Sequence, residues 1–592
     1  MGNLKKSILL FTTTFIMTLS LISCGTNENN SGNKIKVDNI YKGSGKFDRD
    51  TLYISALNID SPTNDSLFKY DLLNIGIKSL SKRGFNPYFV DSKEDYYIID
   101  AIWEPLMRKN YDGEFYPNIL KQLPTVSEDR TVYLFSLKEN LTWEDGTKIT
   151  TKDIEFTYKF LMDSSYNGSF NRELLNIKGW EKYKNGESDS IEGFEIIDDY
   201  TFRITVEKPT IYTMELLNIY PLSFTYYGQY YFQGGANELN NSDIKPFGNG
   251  VFKYLGYEED KYLTLESNSF YFKGKSNINT LTFKVIGENN FINELTTGKV
   301  DFVRDEILND EVLYEVSQAD FLSGYIFSNY GYASIVINHK NPILQDLNIR
   351  SVINMAIDKN KIIEVLSNGK LDIIDAPIDK NFYNLFYDKG NVTNEFNKNS
   401  AISILEKLGW KKNENGIREK DGQKLEFVFL VDKNSEVVSK IFPLIKSDLE
   451  NVGINIVEQE IDDDFFYLND KDNLVYDMFL MDPNFNYDPY WYNTFHTNGK
   501  DNYYFYSNPE LDNVLNNIST QFDLEQSGDL YQNAYEILKK DLPVIPIFQS
   551  KQFDIYNARI MGINSVNIFK TFYYDEIILK KWFLEMIFWK NF

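Results

Sequence analysis

Residues 133–161, YLFSLKENLTWEDGTKITTKDIEFTYKFL, contain the pattern that best predicts the fold. Apolar and polar residues alternate at the start of this stretch, which is typical of a half-buried strand. Trp143 and Gly146 follow, and the glycine suits a turn that needs a positive φ or a close backbone approach. Thr150 with Asp153 three positions later predicts the capped start of an apolar helix. The stretch therefore predicts a strand, a turn and a helix in succession.

Helices and strands continue to alternate toward the C-terminus. Residues 436–461 predict a helix, a glycine and then a strand, and residues 530–550 predict a helix broken at Pro543 and an extended strand. Residues 349–370 predict one longer amphipathic helix ending at Gly369. The pattern has no fixed period, which argues against a repeat array. A chain of 592 residues with this pattern predicts a mixed α/β protein of more than one domain.

The N-terminus has the features of a secretory signal. Two lysines precede an uncharged, mostly apolar run over residues 8–22, which is shorter than the roughly 20 residues of a membrane-spanning helix. The four residues ending at Cys24, the only cysteine, resemble the bacterial lipobox. We expect cleavage between Ser23 and Cys24 and a lipid on Cys24, which would place the protein on the extracytoplasmic face of a bacterial membrane. An ordinary signal with a stray cysteine is the alternative.

The composition excludes several classes of partner. The formal net charge of −25 disfavours nucleic acid and anionic lipid surfaces. A single cysteine leaves no internal disulfide and no cysteine-based metal site. His339 and His496 lie far apart and form no metal-binding pattern. We therefore expect no metal, no cofactor and no nucleic-acid partner.

The sequence also lacks the common catalytic motifs. Ser269 stands where a phosphate-binding loop requires its first glycine, and Lys253 replaces the third glycine of a dinucleotide-binding fingerprint. No GxSxG element occurs, and the many carboxylate pairs are typical of solvated surfaces. We therefore predict no catalytic residues and no enzyme activity.

The ordered motifs from about residue 80 to residue 584 resemble extracellular solute-binding protein family 5, the oligopeptide-binding lipoproteins of ABC importers. The most specific match is the family pattern W-x-D-G-x-x-x-T-x-x-D-x-x-F, which is carried here by Trp143, Asp145, Gly146, Thr150, Asp153 and Phe156. Residues 244–254, IKPFGNGVFKY, resemble the family's P-x-G-T-G-P-Y segment with Asn249 in place of threonine. We interpret most of these residues structurally: Trp143 as core, and Arg350 as the ion-pair partner of Asp346 or Asp358.

The resemblance implies an α/β, two-lobed periplasmic-binding-protein-like fold (type II, cluster C-like) with an extra subdomain in the first lobe. The expected segments are a lipoprotein signal peptide (1–23), a flexible tether (24–46), the first part of lobe I (47–95), the extra subdomain (96–214), the second part of lobe I (215–310), lobe II (311–554), and a return to lobe I with a C-terminal tail (555–592).

The aromatic stretch 476–500 is the predicted ligand-binding loop, because it resembles the family segment that lines the cleft of the second lobe. An aromatic loop sealing an interdomain core is the alternative. The predicted ligand-binding residues of this loop are Asp482, Asn484, Phe485, Tyr487, Asp488, Tyr490 and Trp491. The opposite lip is expected at Ser92 and Lys93.

One departure from the family bears on the ligand. Peptide binders of the family hold the peptide's α-amino group with an aspartate about four residues before the proline that is Pro489 here, and that position is Phe485. Asp482 or Asp488 could serve instead, since a carboxylate is the natural counter-ion of an ammonium group. This departure leaves a second possibility open, in which the same transport protein binds a nickel chelate, a sugar or an opine. A peptide-pheromone receptor is a further alternative.

The resemblance also implies the partners and the mechanism. Two lobes would close around an oligopeptide or similar small ligand, taking its backbone by strand pairing. The closed form would then engage an ABC permease with its ATPases, while the lipid on Cys24 keeps the protein at the membrane. We expect a monomer by default. Binding, without chemical change of the ligand, would be the function.

Overall fold

In the computed structural model, residues 133–161 fold as the sequence predicts. The strand Val132–Ser136 pairs with Thr201–Thr205, and the turn that follows contains Gly146 at φ 86°. The Thr150 and Asp153 side chains form a reciprocal capping box at the start of the next helix. Trp143 is 1% exposed, which confirms its predicted place in the core.

The structure describes residues 40–579 except 43–51, 57–70, 82–84, 91, 111–113, 169, 171, 242, 288–289, 308–309, 368–370, 378–395, 462–474, 482–490, 500, 522–526 and 564–572. All described residues belong to one compact unit, Asn39–Phe592. The predicted signal peptide, the cleavage site at Ser23 and Cys24, and the C-terminal tail after residue 579 lie outside the described residues.

The strands build one large mixed sheet and several small ones. In chain order, the described strands are β1 (Ile40–Lys42), β2 (Leu52–Ile54), β3 (Leu72–Ile77), β4 (Met107–Lys109), β5 (Phe115–Pro117), β6 (Thr125–Val126), β7 (Val132–Ser136), β8 (Phe194–Ile196), β9 (Thr201–Thr205), β10 (Phe252–Glu258), β11 (Tyr262–Ser267), β12 (Thr280–Val285), β13 (Phe302–Ile307), β14 (Leu322–Ile337), β15 (Asp372–Ile373), β16 (Lys411–Lys412), β17 (Arg418–Lys420), β18 (Gln423–Lys424), β19 (Glu426–Asp432), β20 (Asn455–Ile461), β21 (Met478–Met481), β22 (Val544–Asn557), β23 (Ile560–Met561) and β24 (Ile578–Leu579). The large sheet has the order β10-β11-β12-β3-β13-β22-β14-β21-β19-β20, with β2 also paired to β14, β1 to β2 and β15 to β22.

Helices cover both faces of the large sheet. The described α-helices are α1 (Lys93–Ile102), α2 (Thr151–Leu161), α3 (Arg172–Leu175), α4 (Trp180–Lys184), α5 (Thr213–Leu216), α6 (Phe224–Tyr227), α7 (Phe291–Thr296), α8 (Asp310–Gln318), α9 (Leu347–Ala356), α10 (Lys359–Ser367), α11 (Lys398–Lys407), α12 (Glu436–Val452), α13 (Tyr492–Phe495), α14 (Pro509–Ser519) and α15 (Gly528–Asp541). In the described part of the chain, two 3-10 helices cover Ala236–Asn240 and Tyr574–Glu576. Within the described ranges, no helix combines the length and the apolar character needed to cross a membrane.

Each half of the large sheet buries a core on each of its faces. In the first half, neighbouring residues Phe302 and Val303 of β13 belong to two different hydrophobic clusters. In the second half, Phe429 and Leu430 of β19 likewise belong to two other clusters. Successive side chains of a strand point to opposite faces, so this alternation shows that both faces are covered. The predicted mixed α/β class is therefore confirmed.

Two long strands connect the halves and make the fold two-lobed. Strand β14 begins at Leu322 in a first-lobe cluster and reaches Ile335 in a second-lobe cluster. Strand β22 runs the other way, from Ile545 in the second lobe to Ile555 in the first. The two strands pair antiparallel along most of their length, with Ile335 opposite Ile545 and Gly324 opposite Ile555. The predicted segment boundaries within the lobes stay predictions.

Two local predictions are wrong. Residues 349–370 do not form one helix, because Ile357 between α9 and α10 is extended (φ −90°, ψ 122°). The carboxylate of Asp358 then accepts the Lys361 N–H and starts the second helix. Among the described residues, Arg350 donates to the carbonyl oxygens of Leu344, Gln345 and Asp541 and forms no ion pair with Asp346 or Asp358. A buried guanidinium with five donors can be satisfied by carbonyl oxygens alone.

Candidate functional site

The first lobe contains a buried charged centre, which lies at the first-lobe ends of the two crossing strands. Asp554 of β22 is fully buried, and one of its carboxylate oxygens lies 3.3 Å from Nε of Arg304 on β13. The Arg304 guanidinium also lies 4.1 Å from the centre of the Tyr97 ring. Tyr325 of β14 stands directly opposite Asp554 in the strand register. We call Arg304, Asp554, Tyr97 and Tyr325 the first-lobe charged centre.

Tyr325 contributes no charge to this centre. Burial and the nearby Asp554 carboxylate raise the pKa of the Tyr325 hydroxyl well above its ordinary value. Tyr325 therefore stays neutral beside the Arg304–Asp554 pair over the physiological pH range. The centre thus contains one buried ion pair beside a neutral hydroxyl group. Nothing in the sequence indicated this pair, because Arg304 and Asp554 are 250 residues apart and lie in no recognisable motif.

The predicted first-lobe lip is directly joined to this centre. Tyr97, whose ring contacts Arg304, belongs to α1, and α1 begins immediately after Ser92. The Ser92 hydroxyl accepts the Asp95 N–H at 3.3 Å, and the Asp95 carboxylate accepts the Ser92 N–H at 3.1 Å. Lys93 is the first residue of the helix. Ser92 therefore has a capping function in this structure, and the ligand contacts of Ser92 and Lys93 stay predictions.

On the second lobe, the structure describes one residue of the predicted ligand-binding set. Trp491 is 2% exposed, and its ring lies edge-on to Tyr531 with ring centres 5.3 Å apart. Its backbone has φ 61° and precedes α13, a conformation that a bulky residue adopts only when its surroundings impose it. The other members of the set lie outside the described residues: Asp482, Asn484, Phe485, Tyr487, Asp488 and Tyr490. Their role stays a prediction.

A buried network fixes the far end of α1. Glu104 follows the helix and accepts from Arg108 at 2.5 Å and 3.0 Å, and from Tyr271 at 2.7 Å. Arg108 also donates to Asp575 near the C-terminus at 2.7 Å. Burial opposes the positive charge of Arg108, but Glu104 and Asp575 outweigh it, so the pKa of Arg108 lies above its ordinary value. The network ties the C-terminal end of the described chain to the end of the helix that carries the predicted first-lobe lip.

The 244–254 segment also fastens α1. Oδ1 of Asn249 accepts the Glu104 N–H at 2.9 Å, and Nδ2 of Asn249 donates to the Glu104 carbonyl at 3.3 Å. The Gly250 N–H donates to the Ile102 carbonyl at 2.7 Å. The backbone approaches so closely at Gly250 that only glycine fits, since a Cβ there would lie 2.6 Å from the Ile102 carbonyl carbon. Asn249, the departure from the family pattern, thus satisfies both backbone groups of Glu104.

Replacing Glu144 with Gln is expected to stabilise the protein at pH 8 but not at pH 4. Burial raises the pKa of the Glu144 carboxyl from 4.5 to about 7, although the Gly248 N–H donates to it. A carboxyl with a raised folded-state pKa contributes stability below pH 4.5 that is lost as the pH rises to about 7. Glutamine keeps an acceptor without the charge, and the gain at pH 8 should reach at most about 3 kcal/mol. Urea unfolding of the parent protein and the variant at both pH values measures the change in the free energy of unfolding. An equal change at the two pH values would contradict the prediction.

The two α/β lobes joined by two crossing strands are the fold of a class of two-lobed binding proteins. The chain belongs to the bacterial extracellular solute-binding proteins, family 5, whose family model matches residues 114–505. This confirms the resemblance seen in the sequence motifs.

Relatives and solved structures agree with this assignment. The chain is 24% identical over 425 residues to the oligopeptide-binding protein AppA of Bacillus subtilis, covering 69% of this chain and 74% of that protein. It is 23% identical over 507 residues to the dipeptide-binding protein DppE of the same organism, covering 81% and 87%.

Three solved structures share the fold. AppA of Bacillus subtilis in complex with a nonapeptide has a TM-score of 0.71 at 21% identity, covering 86% of this chain and 99% of that one. Lactococcal OppA with an endogenous peptide, in the closed conformation, has a TM-score of 0.74 at 17% identity, with the same coverage. NikZ of Campylobacter jejuni in complex with Ni(L-His) has a TM-score of 0.66 at 21% identity, covering 84% and 96%. The predicted two-lobed fold is confirmed.

Proposed function

We propose that this protein is the lipid-anchored, extracytoplasmic substrate-binding protein of an ABC importer, which captures oligopeptides between its lobes and delivers them to a membrane permease. The observation that carries the proposal is the family membership over residues 114–505, together with relatives named for oligopeptide and dipeptide binding. The two crossing strands support it, because lobes joined in this way can close around a ligand. The protein binds its ligand and releases it unchanged.

The proposed anchor is the lipid on Cys24, which follows from the lipobox-like residues before it. The anchor keeps the protein within reach of the permease and its ATPases. Radioactive palmitate fed to cells that express the chain should label the protein, and Cys24→Ser should abolish the label. Labelling that persists in Cys24→Ser would contradict the anchor without affecting the binding function.

Native mass spectrometry of the chain from residue 25 onward tests the ligand class. This chain contains the whole compact unit Asn39–Phe592. Co-purified peptides of two to several residues, identified after denaturation, support the proposal. A single non-peptide mass would instead support the second candidate, a nickel chelate or other small solute. Phe485 favours that candidate, because the position of the amine-binding aspartate of peptide binders has no carboxylate here.

We expect Asp482→Asn or Asp488→Asn to weaken the binding of peptides that have a free N-terminus. A charge-assisted hydrogen bond to an ammonium group contributes about 1.5–3 kcal/mol, so the aspartate that holds the amine should account for a loss of roughly 10- to 150-fold. The probe is the nonapeptide RPPGFSPFR, which is bound by the OppA of Haemophilus influenzae, and the measurement is isothermal titration calorimetry.

The N-acetylated form of the same peptide is the matched ligand control. It should bind the parent protein weakly and should not distinguish the parent from the variants, since it has no ammonium group. Asp243→Asn, at an exposed first-lobe position, is the protein control and should leave the affinity unchanged. Equal affinity of the parent for the free and the acetylated peptide would rule out an amine-binding carboxylate.

A further inference from the structure

The lobes touch at a second place, away from the crossing strands. The Ile211 N–H donates to the Ser519 carbonyl oxygen at 2.8 Å. Ile211 lies just before α5, whose following residue Leu217 belongs to the large first-lobe cluster. Ser519 is the last residue of α14, and its neighbour Ile518 belongs to a second-lobe cluster. This contact therefore bridges the predicted extra subdomain (96–214) and the second lobe.

The chemistry of the contact suits a reversible closure. The last four carbonyl groups of a helix have no partner within the helix, so the Ser519 carbonyl can take an outside donor. The Ile211 N–H can be that donor, because the turn that contains it is held by other bonds: the Thr213 N–H donates to the Thr210 carbonyl at 3.0 Å, and the Thr210 N–H donates to the Thr213 hydroxyl at 2.7 Å. When the lobes part, water can satisfy both groups at once. Neither lobe has to refold for the contact to form or to break.

We propose that residues 207–213, here called the clasp segment, close on the carboxyl end of α14 and raise the population of the closed form before a ligand arrives. The inference rests on the proposed function, since closure matters only to a protein that encloses its ligand. A ligand that binds only the closed form has an apparent affinity equal to its affinity for that form multiplied by the fraction of free protein that is already closed. The clasp segment thereby adjusts affinity for every ligand equally and leaves selectivity to the cleft.

Ile211→Pro removes the donor with little other change. Ile211 occupies the second position of the turn from Thr210 to Thr213, where proline is favoured. Ile211→Ala is the matched control, because it removes more of the side chain than proline does but keeps the N–H. The test uses the chain from residue 25 onward, which lacks the single native cysteine. Spin labels on Ser190→Cys and Asn513→Cys, both at exposed positions, report the distance between subdomain and second lobe by double electron–electron resonance.

Without ligand, Ile211→Pro should move the distance distribution toward longer values, and Ile211→Ala should match the parent. A hydrogen bond with a net contribution of about 1 kcal/mol changes the ratio of closed to open protein roughly two- to tenfold. RPPGFSPFR should therefore dissociate about two- to tenfold faster from Ile211→Pro than from the parent protein. An unchanged distribution in Ile211→Pro, or an equal shift in both variants, would overturn the proposal. If no version binds the peptide, the proposed function fails, while the ligand-free distances still decide whether the clasp exists.

A disulfide provides an independent test that does not depend on the proline variant folding. Ile211→Cys with Ser519→Cys places two thiols at the bridging position, and oxidation would hold the lobes together there. The oxidised protein should release a pre-bound RPPGFSPFR at least tenfold more slowly than its reduced form. Equal release rates, with the disulfide verified by mass spectrometry, would overturn the proposal.

Discussion

Replacing Asp554 with Asn should lower the free energy of unfolding by about 3–5 kcal/mol, because it leaves the Arg304 charge buried without its main anion. Asp554 is fully buried and Arg304 is 8% exposed, so water cannot replace the lost carboxylate at either position. The Tyr97 ring, 4.1 Å from the guanidinium, offers only a weaker attraction. Urea unfolding followed by tryptophan fluorescence measures the change, and the same data show whether both lobes unfold together.

A double-mutant cycle measures the interaction between Arg304 and Asp554 separately from the effect that each substitution has on the other neighbours. Arg304→Met alone leaves the fully buried Asp554 carboxylate without its cation and should destabilise by a similar amount. The combination Arg304→Met with Asp554→Asn removes both charges and should recover much of the loss, since a buried ion pair is often replaced by uncharged residues at little cost. Additive losses in the double variant would contradict the direct pairing.

An exposed ion pair provides the matched control. Lys121 and Glu139 lie 2.7 Å apart with side chains 47% and 67% exposed. Surface pairs of this kind contribute little, because solvent screens them and both side chains lose freedom. Glu139→Gln should therefore leave the unfolding midpoint unchanged. If Asp554→Asn also leaves the midpoint unchanged, the first-lobe charged centre does not stabilise the fold as its burial indicates.

The sequence correctly predicted the local structures that are determined by residues close together in the chain. The Thr150 and Asp153 capping box and the positive φ of Gly146 are set by residues a few positions apart, and the structure confirms them. The sequence also contained an indication of the break between α9 and α10, since Asp358 is a typical helix-capping residue. The amphipathic periodicity continued across the break, however, and it led to the prediction of a single helix.

Long-range partners were not predictable in the same way. Arg108 and Asp575 are 467 positions apart, and Arg304 and Asp554 are 250 apart. Each pair exists only because the sheet brings separate segments together, and many other acids in this acidic chain would fit the composition equally well. For Arg350, the nearest acids in sequence were the wrong choice, because the folded chain offers backbone carbonyls instead. The ligand-binding loop stays a prediction from motif resemblance.

Gly248→Ala should destabilise the protein by about 3–5 kcal/mol, since the backbone it would strike cannot move aside. A Cβ on Gly248 would lie 2.0 Å from the Ile102 carbonyl oxygen at the end of α1. Relieving an overlap with packed backbone typically costs 1–3 kcal/mol or more. Moving the loop also weakens the Asn249 bonds to Glu104 and the Gly250 bond to Ile102, each worth about 1 kcal/mol. Urea unfolding measures the loss, and peptide binding should weaken with it because α1 carries the predicted first-lobe lip.

Gly287→Ala is the control that separates this clash from the general effect of replacing glycine. Gly287 is exposed, and a Cβ there would meet nothing within 4 Å. Alanine at such a position restricts the unfolded chain and should leave stability unchanged or raise it by up to about 1 kcal/mol. Stability of Gly248→Ala equal to that of Gly287→Ala would show that the loop can leave α1 freely. The 244–254 segment would then not be what holds the first-lobe lip in place.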